Sequence, residues 1–506
     1  TAQGPPGAAA LAGAVAAGLA LAITELLAGL IESVPSAVAA VGSQIVDDSP
    51  NFVKDFAIQV FGTADKGALA IGTAIVAVGI GVVVGRMSVR RRWISTAAFA
   101  AFAVLGILAA VSEVNANPVL AVMAIGIGAA AGWALLKYAL DALTSDDPLD
   151  HGAGDPSRRR LLGGIAGVGV ASLAAGGLGR QLIINRSETV RETMALPRPV
   201  TSVPPPSAAA SFEVPGLSPI VVPNNEFYRI DTALVVPRPD PATWELQVEG
   251  MVDRKLSFTM DDLLAMDLHE RYVTISCVSN RVGGDLVGNA KWTGVRLTEV
   301  LDMAGVDPAA TQIVGRSVDG WTAGFPTALA YDGRDPLIAI GMNGEPLPPD
   351  HGFPARLIVP GLYGYVSVTK WLEEIELTTW EAFDAYWIPR NWSKEGPIKT
   401  QSRIDTPRTG REVDGSFVAA GVAWSPEIGI VAVEVQVDDG PWQLVETTEP
   451  LSDHSWVQWQ SPLDLEPGRH TIRVRAIDET GPQTSAKAPP RPDGATGHHE
   501  IRVTVV

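Results

Sequence analysis

Five long apolar runs in the first third of the chain constrain its fold more than any other feature. A helix needs roughly 20 apolar residues to cross the hydrocarbon core of a bilayer. Residues 8–31, 67–85, 93–111 and 118–136 meet that requirement, and residues 161–178 are long enough but rich in Gly and Ala. A single run of this kind can be buried inside a soluble domain, but several in succession are hard to bury that way. The sequence therefore predicts an N-terminal α-helical transmembrane bundle of five spans. Arg86, Arg90, Arg91 and Arg92 join the second and third runs, and Arg158, Arg159 and Arg160 precede the fifth. The stretch 32–65 carries Asp47, Asp48 and Asp55, with Lys54 its one basic residue. Cytoplasmic loops collect Lys and Arg. Strict alternation then puts both Arg clusters inside and everything after the fifth run outside. The segment Ser157-Arg158-Arg159-Arg160-Leu161-Leu162 reads equally as ordinary positive-inside charge and as an internal, uncleaved twin-arginine export signal. The chain begins at Thr1 without Met, so preceding residues of a longer chain are expected.

Several chemistries are excluded. The formal net charge of −18 comes with no strongly basic patch, which argues against nucleic acid as a partner. Cys277 is the only cysteine, so there is no intramolecular disulfide, no cysteine-ligated iron–sulfur cluster and no multi-cysteine zinc site. The histidines are His151, His269, His351, His454, His470, His498 and His499; none lies in an apolar run, so a bis-histidine haem inside the bundle lacks its ligands. Glu25 does lie in the first run. An intramembrane carboxylate is a functional candidate by default, and the reading favoured here is a position near the outer interface or a pairing with another helix.

The chain divides by composition into residues 1–150 (four spans), 151–185 (the fifth span), 186–222 (a Pro-rich linker containing Pro204-Pro205-Pro206), 223–385 and 386–506. Within 223–385, residues 244–249, 272–277, 312–318, 337–342 and 356–359 read as strands and 261–266 and 297–304 as short helices, an α+β pattern. In the last part, Val431, Val433, Val435 and Val437 alternate with other residues, Asp438-Asp439-Gly440-Pro441 makes a turn, and residues 472–477 and 499–506 alternate again. This predicts an all-β sandwich. Its histidines lack ligand-like spacing and are expected at the surface.

Taken alone, a cysteine ending an apolar strand is usually a small buried hydrophobe. Its surroundings carry more. The segment Tyr272-Val-Thr-Ile-Ser-Cys277-Val-Ser-Asn280-Arg281-Val-Gly-Gly284-Asp-Leu-Val-Gly-Asn289-Ala-Lys-Trp292 resembles the metal-ligand segment of the sulfite oxidase family. Asn224-Asn225-Glu-Phe-Tyr228-Arg229 resembles that family's first pterin-contacting loop. Pro348-Pro-Asp-His351-Gly-Phe-Pro354-Ala-Arg356, with Ser367-Val-Thr369-Lys370-Trp371, resembles its second. The segments stand in the family's order, and the terminal sandwich matches its immunoglobulin-like domain, often used for dimerisation. The resemblance covers roughly residues 220–506.

It implies a molybdenum cofactor (Mo-molybdopterin) held by a pterin dithiolene and one thiolate, with Cys277 as the metal ligand. Arg356, Ser367, Thr369 and Lys370 would meet the pterin phosphate. Asn225, Tyr228 and Arg229 would lie on its opposite side, and His351 against the pterin. Ser317 and Asp319 would line the pocket. Arg281 would lie near the metal and attract an oxyanion; a structural salt bridge is the equal alternative. Gly283-Gly284 would make a tight turn beside the cofactor. A twin-arginine route suits this reading, because it exports folded domains already loaded with a bulky cofactor. The implied activity is two-electron oxygen-atom transfer, by sulfite-like oxidation or sulfoxide-type reduction, on a small substrate outside the cytoplasm. No second redox centre is encoded, so an external redox partner (a cytochrome or quinone-linked protein) is implied, as is a homodimer or larger membrane complex. Two other readings stand beside it: a catalytically inactive structural subunit of a membrane complex, and a Cys–His hydrolase.

Overall fold

The computed structural model describes residues 6–31, 34–49, 65–112, 116–144, 156–233 and 236–506. Lys54, Asp55 and His151, with the side chains of Asp47, Asp48, Ser157, Arg158 and Arg159, lie outside the described residues, and so does the side-chain part of the export-signal reading. The chain forms two compact units, residues 1–189 with 231–238, and residues 190–230 with 239–506.

The first unit contains helices α1 (Pro6–Leu30), α2 (Ala37–Asp48), α3 (Asp65–Ser88), α4 (Trp93–Val111), α5 (Pro118–Thr144) and α6 (Pro156–Thr193). All but α2 are long and apolar enough to cross a membrane. Small residues let the backbones touch, as they do where helices pack without a hydrophobic driving force. Gly81 and Gly85 of α3 lie against Gly13 and Ala9 of α1, and Gly128 and Gly132 of α5 lie against Ala20 and Ala16 of α1. Rising numbers meet falling ones, so α3 and α5 run antiparallel to α1. Gly169, Gly176 and Gly179 of α6 meet Val15, Ala22 and Glu25 in matching order, so α6 runs parallel to it. At the start of α4, Arg92 donates to Leu140 O (3.1 Å) and Thr144 Oγ1 (2.6 Å) at the carbonyl end of α5, where a helix dipole favours a cation. Arg86, Arg92 and Arg160 thus gather at one end of the bundle, as the alternation argument requires. At the other end Glu25 finds its partner. Its carboxylate accepts from Ser36 Oγ (2.7 Å) and from Val38 N (3.4 Å), and Ser36 Oγ accepts from Ala39 N (3.1 Å), capping α2.

The second unit begins with an α+β body. One sheet has the order β2-β1-β10-β5-β6, and the other β3-β4-β7-β8 with β9 paired to β7. The strands are β1 (Glu245–Gly250), β2 (Leu256–Thr259), β3 (Leu268–Ser276), β4 (Val287–Arg296), β5 (Gln312–Ser317), β6 (Thr322–Pro326), β7 (Leu337–Met342), β8 (Glu345–Pro346), β9 (Arg356–Ile358) and β10 (Leu372–Thr378). Helices α7 (Met260–Ala265), α8 (Leu297–Ala304) and α9 (Gly364–Ser367) lie between them. Leu297, Val300, Leu301 and Ala304 of α8 are fully buried at helical spacing. They join Leu246, Trp292, Ile313 and Leu357 in one continuous core, where each large apolar side chain contributes about 1.5–3 kcal/mol.

The sandwich that follows pairs the sheet β11-β13-β17-β16 with the sheet β12-β20-β18-β14-β15, β19 flanking β18. Its strands are β11 (Gln401–Thr406), β12 (Glu412–Val413), β13 (Ser416–Trp424), β14 (Ala432–Val437), β15 (Gln443–Leu444), β16 (Glu446–Thr447), β17 (Val457–Asp464), β18 (Gly468–Asp478), β19 (Gly481–Pro482) and β20 (His499–Val505). Residues 386–400, expected in the sandwich, belong instead to the α+β body: Trp387, Ile388 and Trp392 pack on its core and Ile398 N donates to Gly361 O.

The expected linker also differs. Helix α6 continues to Thr193, because no proline interrupts it before Pro197. The Pro-rich stretch beyond is extended but docked. Val200 N donates to Leu268 O and Glu270 N to Thr201 O, which covers the open edge of β3. Ile220 and Val222 enter the core.

Candidate functional site

Cys277 is the first residue after β3, half-buried, with its N–H donating to Leu286 O (2.9 Å). Burial pushes its thiol above the ordinary value, partly offset by hydrogen bonds from Ser279. The following loop is braced from within by Asn280, which is buried and whose Oδ1 accepts from Leu286 N (3.0 Å). Gly283 has φ +76°, a conformation other residues rarely adopt. Gly284 N donates to Arg281 O (2.8 Å), so the two glycines make the expected tight turn. Arg281 is exposed and makes no ion pair among the described residues.

Three cations converge on the same region. Arg356 is 3% exposed, its guanidinium stacked 4.7 Å over Trp292 and its Nη1 donating to His351 O (2.8 Å). Among the described residues it has no carboxylate partner, and its buried Nε has no hydrogen-bond partner. Burial pushes its pKa down to about 10. Lys370 Nζ donates to Asp350 O (3.0 Å); burial, then Arg356 and Arg229, hold it well below its ordinary value. Arg229 pairs with Asp350 at 3.3 Å. Gly352, at φ +109°, sits where a Cβ would press on Lys370 and Arg356, so the loop after His351 can lie close to both. Burial and the neighbouring Cys277 raise the Tyr228 hydroxyl above its usual range.

His351 is buried, and its Nε2 lies 2.8 Å from Asn224 O. A carbonyl only accepts, so Nε2 carries the proton and Nδ1 keeps a free lone pair. Burial lowers its pKa to about 4, which keeps the ring neutral. Phe227 wedges the first loop in place, stacked on Tyr228 (5.3 Å) and edge-on to Trp292 (5.9 Å) and His351 (5.6 Å).

The structure thus brings Tyr228, Arg229, Cys277, His351, Arg356 and Lys370 together. Others stand differently. Asn225 is exposed, and Asn224 is the anchored neighbour, its Oδ1 accepting from Asn343 Nδ2 (2.8 Å). Ser367 is fully buried and its hydroxyl faces Tyr363 O (3.0 Å) and Leu362 O (3.2 Å), so its one proton is committed to the α9 turn rather than to a phosphate. Thr369 Oγ1 is buried against Gly315 of β5, without a partner among the described residues. Ser317 Oγ accepts from Asp319 N (3.4 Å) and Asp319 accepts from Trp321 N (3.1 Å), a turn that leaves Asp319 close enough to act on Lys370. His454, His498 and His499 are half-buried rather than on the surface, because each has work in the packing. His454 O accepts from Thr274 N, and His498 Nε2 lies 3.0 Å from Gln483 O. His499 lies against Gly283. Asn280 and Trp292 stand in the sequence motif without an assigned role, and Asn343 was missed. The Asn343-Gly344 turn was a visible signal for Asn343; the contacts of the other two were not visible.

A family model described as the oxidoreductase molybdopterin binding domain matches residues 233–387. The mitochondrial sulfite oxidase of Homo sapiens is 30% identical over 332 residues, covering 56% of this chain and 59% of that one. The uncharacterized oxidoreductase YuiH of Bacillus subtilis (strain 168) is 34% identical over 157 residues, 31% of this chain and 76% of that one. The solved structure of the sulfane dehydrogenase SoxCD from Paracoccus pantotrophus shares the fold, with TM-score 0.51 at 22% identity, covering 58% of this chain and 86% of that chain. The chain therefore spans 59% of the length of the human sulfite oxidase.

Proposed function

The chain belongs to the sulfite oxidase family of molybdopterin-binding oxidoreductases, and from that premise we propose a membrane-anchored enzyme that transfers one oxygen atom and two electrons on a small extracytoplasmic substrate. The observation that carries this reading is Arg356. Among the described residues this buried guanidinium has no carboxylate and its Nε has no partner, so it keeps hydrogen-bonding capacity and charge to offer an anion. Such a site fits the phosphate of a pterin cofactor, and the neighbouring thiol fits a soft metal.

Cys277 would ligate the metal as thiolate. Arg356 and Lys370 would hold the phosphate, with Arg229 beside them. Tyr228 and Asn225 would border the pterin on the first loop. Neutral His351, its Nε2–H spent on Asn224 O, would accept a hydrogen bond at Nδ1. Ser317, Asp319 and Thr369 would line the far wall. When bound, the molybdenum cofactor supplies a metal that exchanges two electrons and one oxygen atom with substrate.

The exposed Arg281 would draw in an oxyanion. In the oxidising direction, sulfite and water would give sulfate, two protons and two electrons, the electrons leaving to an external redox partner. Sulfoxide-type reduction is the same exchange reversed. The basic end of the bundle would face the cytoplasm, so the catalytic unit would lie outside. The test is a panel of small S- and N-oxides and sulfite, each with an artificial electron carrier, on molybdenum-loaded protein. Turnover of at least one, lost in Cys277→Ser, is expected. A purified chain without molybdenum would sink the enzyme reading and favour an accessory subunit.

A further inference from the structure

The loop that carries Cys277 is gripped by the C-terminal sandwich. Arg403 of β11 is 7% exposed. It donates Nη1 to Gly284 O (2.8 Å), Nη2 to Ser218 Oγ (2.9 Å) and Nε to Asp405 Oδ1 (2.5 Å). Asp405 Oδ2 in turn accepts from Ser218 N (3.0 Å), so the buried ion pair is fixed at both ends. His499 opens β20. Its Nδ1 accepts from Ile404 N (3.0 Å). An amide N–H only donates, so the ring proton sits on Nε2. That edge of the ring lies against Gly283, where any Cβ would collide with it. Two grips from separate strands of the sandwich therefore meet on adjacent residues of the turn that follows Cys277 and Arg281.

A loop that merely joined β3 to β4 would not need this. Asn280 already closes it from within. A buried ion pair is weak support for stability as such and is better understood as setting one arrangement among several. The backbone carbonyl of Gly284 fixes where the loop ends, and the imidazole fixes how closely Gly283 can approach the sandwich.

We propose that Arg403 and His499 are positioning residues for the metal-ligand loop, so that the terminal sandwich is a working part of the catalytic unit and not solely an association module. This rests on the reading of Cys277 as the ligand, and its test is chosen to be separable from that reading.

Cys277 is the only thiol, so the rate at which a chromogenic disulfide reagent labels the cofactor-free full-length chain in detergent reports this loop alone. Arg403→Gln and His499→Ala should each raise the labelling rate by about tenfold or more, since loosening a braced segment raises the population of its open form. Arg403→Lys, which can still donate to Gly284 O, should recover most of the wild-type rate. Arg475→Gln removes an ion pair elsewhere in the sandwich, with Glu434, and should leave the rate unchanged. If Arg403→Gln does not fold, Gly283→Ala serves instead, because its methyl drives the loop off His499. In loaded protein, the same variants should shift the thiolate-to-metal absorption at unchanged molybdenum content. Equal labelling rates for wild type, Arg403→Gln and His499→Ala would overturn the proposal, as would an Arg475→Gln chain labelled as fast as they are. Molybdenum content of the wild type tests the ligand reading separately and does not enter the labelling result.

Discussion

Replacing Arg356 by Met should separate folding from cofactor retention. The guanidinium lies at about 10 instead of 12.5 because burial opposes its charge. That gap corresponds to about 3 kcal/mol of unfavourable burial. At any pH below 10 the group is charged in both folded and unfolded chains, so the folded chain bears this penalty throughout the neutral range. Two contacts offset it. A charge-assisted bond to His351 O contributes about 1.5–3 kcal/mol, and the stack on Trp292 about 0.5–2 kcal/mol. The sum lies near zero. Met is unbranched and adaptable, and fills much of the same space without charge. The cofactor-free chain of Arg356→Met should therefore stay within about 1–2 kcal/mol of wild type. Binding of the anionic cofactor should fall much further: losing one partner of a buried charged pair costs about 2–5 kcal/mol, so retention weakens on the order of a hundredfold. The assay is thermal unfolding of the full-length chain in detergent, cofactor-free and loaded, with molybdenum content measured on each. A variant that loses 3 kcal/mol or more when cofactor-free yet keeps the loaded-minus-free difference would make Arg356 a structural residue and not an anion site.

Neutral, buried His351 makes the folded chain acid-sensitive. Its folded value of about 4 lies below the ordinary 6.5, so the unfolded chain takes up the proton first as pH falls. The contribution is complete above pH 6.5 and lost between 6.5 and 4, about 2 kcal/mol of it by pH 5. Denaturant midpoints at pH 7 and pH 5 should show the drop, and His351→Gln should flatten it; an unchanged slope would show that His351 is not its source. Asn343→Ala removes the amide that donates to Asn224 Oδ1 and Val222 O. It should cost about 1–3 kcal/mol and lower cofactor retention, read by denaturation and by molybdenum content. In the bundle, Gly81→Leu places a side chain into the α1 backbone at Gly13 and the methyl of Ala17. Overpacking of this kind costs about 1–3 kcal/mol or more, and detergent-solubilised yield and unfolding temperature should both fall, whereas the same change at open Gly72 should not.

Local pattern was legible wherever one physical rule dominated. The spacing of Leu297, Val300, Leu301 and Ala304 marks α8, and the unbroken apolar run at 337–342 marks β7 at the observed limits. The order of the Arg clusters along the chain predicted the end of the bundle at which Arg86, Arg92 and Arg160 gather. Cys277, Arg356 and Lys370 stand in motifs that resemble one family, which is what drew attention to them together; that the fold buries both cations near the thiol came from the structure. What escaped depends on contacts between distant parts of the chain. Nothing local about Arg403 or His499 says that they reach Gly284 and Gly283. Ser367 sits in a phosphate-like motif, yet α9 takes its proton. The Pro-rich stretch 197–206 has a linker's composition, yet the open edge of β3 offers hydrogen bonds that dock it. Composition reports a segment's own preference and not the surface that will receive it.

Everything proposed for the site turns on Cys277 being a protein ligand to molybdenum. X-ray absorption at the molybdenum edge on purified full-length protein tests it most directly, comparing wild type with Cys277→Ser. Molybdenum is expected in the wild type with a cysteine sulfur bound directly to it, and one sulfur fewer on any metal the variant retains. A wild type without molybdenum, or an identical sulfur count in both proteins, would contradict it.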